Sequence, residues 1–107
     1  MDFEALLREI EREVAAAARE ALGSHARAAV RDSREFLLRI RADLERWTRM
    51  VADGRMSEQD FRSLVEGSKG VAEMHVLKRR GAAQAAIGKF QDRVIAIIIG
   101  RVLALIP

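Results

Sequence analysis

Apolar positions step through the first half of the chain by threes and fours: Phe3, Leu7, Ile10, Val14, Ala18, Ala21, then Ala29, Phe36, Ile40, Leu44, Trp47 and Val51, with His25 the polar member of the series. This spacing is helical. Phe3 to Trp47 covers about twelve turns of about 3.67 residues, the period of eleven-residue repeats, which predicts a nearly straight or slightly right-handed helix pair rather than a left-handed heptad coil. The positions between are rich in Glu, Arg and Ala, which support an exposed helical face. A second stripe with the same drift runs from Phe61 through Val65, Ala72, Val76, Ala83, Ile87, Phe90, Val94 and Ile98 to Leu105.

Between the stripes lies Asp53-Gly54-Arg55-Met56-Ser57-Glu58-Gln59-Asp60-Phe61. Asp-Gly offers a left-handed helix stop, and Ser57 with Asp60 three residues later forms a capping box, so a turn is expected here. From Gly54 to Val65 the order of small residue, serine cap, acid and phenylalanine resembles the turn-and-helix of short bacterial helical hairpin modules of the SHOCT type. That resemblance spans about a dozen residues; it implies a turn followed by a helix and no activity.

The fold class these patterns give is all-α: a long antiparallel helical hairpin in a single domain over residues 1–107, with a helix over about 2–52, a turn at 53–56 and a helix over about 57–106. Each arm is roughly 75 Å if unbroken. The sole proline is Pro107, so no proline interrupts either arm. Glycine costs a helix interior about 1 kcal/mol and serine restarts a helix as its cap, so Gly23-Ser24 and Gly67-Ser68-Lys69-Gly70 are the expected places for kinks or helix ends.

Charge bears on how the arms pair. Residues 2–22 carry six acids against three arginines, residues 24–55 eight arginines against five acids, residues 57–74 sum to −2 and residues 78–107 to +5. Folding at Gly54 sets the acidic start on the basic end and the basic middle on the acidic segment after the turn, in a register where paired residue numbers sum to about 110. A bundle in which residues 2–22 fold back on 24–52 matches charge as well. In the hairpin register Gly81 to Gly88 faces Leu22 to Ala29, small residues against small residues, which forms a narrow waist.

Residues 94–106 are apolar on nearly every face. One partner helix covers one stripe, so Ile95, Ile99, Val102, Leu103 and Ile106 are expected to stay exposed on a lone hairpin. The run is too short to span a bilayer and is split by Arg101. A homo-oligomer, in its simplest closed form a dimeric four-helix bundle, is therefore expected, with Ile98, Phe3 and Leu6 completing the interface. A lipid or granule surface, or another protein, is the alternative cover for residues 94–106. Arg101 is expected to pair with Glu9, or with Glu11 or Glu13 of a second copy.

Composition narrows the chemistry. The chain has 107 residues, half of them apolar, and no cysteine, which removes a disulfide framework, a thiolate metal site and a cysteine nucleophile and points to the cytoplasm. Asp2 and Glu4 near the start are unlike a secretory or transit segment. The net charge is +3, and the densest basic patch is Lys78-Arg79-Arg80 with Arg27 and Arg31 nearly opposite. That patch suits a phosphate or an acidic partner, but Asp32 and Glu35 interrupt it and aromatics are few, so nucleic acid is not the expected partner and a weak nucleic-acid-associated protein is only the third reading, after self-association and a lipid or granule surface. His25 and His75 do not meet in the hairpin register, and Glu73 and His75, two apart, are expected on different faces, so no metal site is foreseen. No serine has a histidine in triad spacing and no glycine-rich phosphate loop occurs; no enzyme activity and no cofactor are expected. The function this leaves is a structural or interaction module that self-associates through its apolar helix faces.

Overall fold

A computed structural model describes residues 1–106. It is all-α, with helices α1 (Phe3–Leu22), α2 (Ala26–Ala52), α3 (Glu58–Gly67), α4 (His75–Arg79) and α5 (Gln84–Leu103). Asp2 starts α1 by accepting from the Ala5 amide at 3.1 Å. Ser57 starts α3 in the same way, its hydroxyl accepting from the Asp60 amide at 3.0 Å, and Gly54 stands in the preceding turn at φ +75.

The two long arms are not straight. The chain turns back at Gly23, whose backbone (φ 48, ψ −111) is open only to glycine, followed by a three-residue 3-10 turn over Gly23–His25. Helix α1 then runs antiparallel along α2, so that Glu4 pairs with Arg41. The second arm is interrupted twice. A 3-10 turn over Ser68–Val71 and an irregular link through Met74, at φ +53, lead into α4; Gly81, at φ +80, then reverses the chain into α5. The result is a compact helical bundle of 43 × 23 × 19 Å instead of a rod.

Residues whose numbers sum to about 110 do meet. The Arg101 guanidinium sits 2.5 Å from Glu13 and 4.0 Å from Glu9, Arg39 reaches the Val71 carbonyl at 3.5 Å, and Asp32 meets the Val76 and Leu77 amides. Helix α1 thereby lies between α2 and α5, and its carboxylates serve both, since Glu20 also takes Arg93 at 3.2 Å. Helix α3 lies between α2 and α5 on the other side, where Lys69 pairs with Asp92 and the Gln91 amide donates to the Ala72 carbonyl. The small residues around Gly23 and Gly81 form an end of the bundle where the chain reverses, not a waist.

One contiguous core results, drawn from every α-helix: Phe3, Ile10 and Val14 of α1, Phe36 and Leu44 of α2, Phe61 of α3, Leu77 of α4, and Phe90, Val94 and Ile98 of α5. Trp47 is half-buried against it. Helix α5 is consumed by this core. Ile95, Ile98, Ile99 and Val102 are buried, as are Phe3 and Leu6, and Leu103 and Ile106 are partly covered. Ile95, Ile99 and Val102, expected to stay exposed, are covered because folding each arm in two brings α1 and α3 onto α5 together, where a straight hairpin supplies one neighbour. The accessible surface agrees: 6248 Å² for a 12.0 kDa chain is close to the roughly 6,000 Å² of an ordinary folded monomer.

Thr48 is the one buried side chain with an unpartnered polar atom among the described residues, its hydroxyl lying inside α2. Thr48→Val keeps the shape and removes an unsatisfied hydroxyl, so it is expected to raise unfolding stability by about 1 kcal/mol; a urea titration showing a loss of that size instead would mean that the hydroxyl has a partner.

Candidate functional site

Half-buried and exposed charge, rather than any cavity, distinguishes one end of this molecule. Arg12, Arg41, Arg46, Arg49, Arg55, Lys69, Arg93 and Arg101 lie within 4.0 Å of a carboxylate. Most of the remaining cations gather where α1 ends, α2 begins and the chain passes from α4 to α5: Arg19, Arg27, Arg31, Arg34, Lys78, Arg79, Arg80 and Lys89 are exposed, and none belongs to an ion pair among the described residues.

Local sequence explains the placement. Arg27, Arg31 and Arg34 recur at steps of four and three, so they share the solvent face of α2, while Ala28, Ala29, Asp32 and Ser33 turn inward. Lys78 and Arg79 close the short helix α4, and Arg80 follows it into the Gly81 reversal. Two adjoining shallow depressions connect the groups. One, of about 330 Å³, is lined by Ser24, His25, Arg27, Ala28 and Arg80; the next, of about 400 Å³, by Arg27, Val30, Arg31, Arg34, Glu35 and Leu38. Arg27 belongs to both, so Arg80, Arg27, Arg31 and Arg34 form a continuous track. The five basic residues singled out in the sequence, Arg27, Arg31, Lys78, Arg79 and Arg80, are thus brought to one end, with Arg34 joining them. Its three-residue step from Arg31 was visible in the sequence and went unused.

Asp32 does not interrupt this track. It is buried, 4 % exposed, and its two carboxylate oxygens accept from the Val76 amide at 3.0 Å and the Leu77 amide at 2.8 Å. Helix α4 has no cap of its own, since Met74 at its start makes no side-chain hydrogen bond. Asp32 supplies the cap from 44 residues away, which fixes α4, and with it Lys78 and Arg79, against α2. Glu35 remains the exposed carboxylate in the depression beside the arginines.

The histidines contribute no joint site. His25 is half-buried beside Arg27 and Arg80, whereas His75 is exposed and pairs with Glu73. That pair corrects the expectation of opposite faces: Glu73 precedes α4 in irregular chain, so helical periodicity does not separate it from His75. No group of three His, Asp or Glu side chains able to hold a metal ion occurs among the described residues. Nor is any of the described helices long and apolar enough to cross a membrane.

At the far end a depression lined by Met1, Ala5, Leu6, Ala52, Ala104 and Leu105 is the most apolar surface feature, with Met1 and Leu105 about half exposed. A second depression beside the C-terminal run is lined by Ile95, Ala96, Ile99 and Gly100 together with the charged Arg62, Glu66, Lys69 and Asp92. Comparison with family models, with curated proteins and with solved structures finds no match to this chain.

Proposed function

We propose that this chain is a non-enzymatic interaction module that works as a self-contained helical bundle and engages an anionic partner through its arginine-rich end. One observation supports the reading above all: eight cations without a carboxylate partner among the described residues lie at one end of a molecule whose other cations are mostly paired. Like charges held together on rigid helices repel one another, and the repulsion is relieved when an anion binds. The self-association expected from residues 94–106 loses its motive, because those side chains already lie in the core of the same chain.

The test is retention on an immobilised polyanion such as heparin. The chain is expected to bind at low salt and to elute as salt rises, and Lys78→Gln/Arg79→Gln/Arg80→Gln is expected to weaken retention by about tenfold or more. Passage of the unaltered chain straight through at low salt contradicts the proposal, as does a triple variant that elutes unchanged while keeping its helical circular dichroism.

A further inference from the structure

Resting on the reading of the basic end as an anion-binding surface, we infer that its partner is double-stranded nucleic acid, held by the phosphate backbone along the track of Arg34, Arg31, Arg27 and Arg80 without regard to base sequence.

Three features select this partner from the anionic alternatives. The first is residue type and spacing. All four track members are arginines, and the planar guanidinium donates two parallel hydrogen bonds to a phosphate, which an ammonium does not. On helix α2, Arg27, Arg31 and Arg34 are spaced by about 6 and 4.5 Å of rise, an array whose length of about 10 Å spans about three phosphates of a strand that advances about 3.4 Å per nucleotide along the duplex axis. The second is what the surface lacks. Phe3, Phe36, Phe61 and Phe90 are all buried and Trp47 is half-buried against the core, which leaves the half-buried His25 as the ring beside the track; so few stacking surfaces favour a duplex, whose bases are already stacked, over a single strand. The third is apolar content. Leu38 is the exposed large apolar side chain along the track, with Val30 half-buried beside it. A lipid surface is held by a broad apolar face together with the basic one, and that face of this chain is spent on its core. Of the two carboxylates expected to repel phosphate, Asp32 is turned inward onto the α4 amides, which leaves Glu35 as the single exposed carboxylate in the depression against Arg27, Arg31 and Arg34.

The experiment compares the full chain with Arg27→Gln/Arg31→Gln/Arg34→Gln and with a control of equal charge change at the other end of α2 and the turn after it, Arg46→Gln/Arg49→Gln/Arg55→Gln. The probes are mixed-sequence duplex DNA, the same sequence single-stranded, and phosphatidylserine/phosphatidylcholine vesicles, each over a salt series. Expected is duplex binding independent of sequence, with affinity falling on the order of 10²- to 10³-fold between 50 and 200 mM salt. The track variant is expected to flatten the log–log salt slope by about 3, and the control variant to leave it nearly unchanged. Equal loss in both variants, or tighter binding to the single strand, overturns the inference. Vesicle binding without duplex binding overturns it too, while leaving the anionic-partner reading in place; failure on every probe at low salt overturns both.

Discussion

Val102→Asp is expected to unfold this chain rather than to release a stable monomer. Val102 has no exposed surface and lies in the shared core, so the substitution loses the apolar burial of valine and places a carboxylate where nothing pairs with it. The cost is expected to exceed about 5 kcal/mol, comparable with the whole stability of a domain this size. A straight hairpin that hides Val102 against a second copy gives a different outcome: the aspartate separates the copies and leaves helical monomers. Circular dichroism with a urea titration distinguishes the two, because a cooperative, helix-rich transition surviving in the variant is incompatible with Val102 being buried within one chain.

Asp32→Ala is expected to be the most costly change of any charged residue. Each charge-assisted bond from a backbone amide is worth about 1.5–3 kcal/mol, and the Val76 and Leu77 amides lose their partner together. A loss of about 3 kcal/mol follows, with Asp32→Asn costing less because one acceptor oxygen remains. Hydrogen exchange adds a local reading: amides of α4 are expected to lose protection in Asp32→Ala well before those of α1. An alanine variant within about 0.5 kcal/mol of the parent would show that Asp32 is an ordinary surface carboxylate, and would restore it as a counter-charge in the basic patch.

Much of the architecture was legible because local chemistry and helical period do not depend on how the helices finally pack. The Ser57 cap, the turn at Gly54 and the helical character of both arms are local, and the structure has them. Gly23 was visible as an interruption but not as a reversal. The reason lies in the stripe: a three-residue 3-10 turn carries Ala21, His25 and Ala29 through in steps of four, so periodicity is the same for a bent helix and for two helices folded together. Charge did not decide the matter either, since the acidic start matches the basic middle and the basic end equally. In the structure α1 uses both, through Glu4 to Arg41 and through Glu13 to Arg101.

The candidate site was half legible for a related reason. Lys78-Arg79-Arg80 and the pair Arg27 and Arg31 stand out in the sequence, and their nearness follows from the register. Asp32 is different. Its removal from the patch depends on the backbone amides of α4 pointing at it across 44 residues, a tertiary fact that leaves no mark in composition or spacing. The expectation that Ile95, Ile99 and Val102 stay exposed failed on the same ground: counting how many neighbours a helix has requires knowing how often the chain turns.

The absence of cysteine makes the deciding measurement simple. Arg8→Cys and Leu38→Cys, both at exposed positions, carry spin labels in a chain diluted with unlabelled protein, and their separation is read by pulsed electron resonance. Antiparallel packing of α1 on α2 sets these positions side by side, giving a distance of about 10–20 Å; a distance near 45 Å, the rise of about thirty helical residues, would mean that the first arm is straight and that this bundle does not form within one chain.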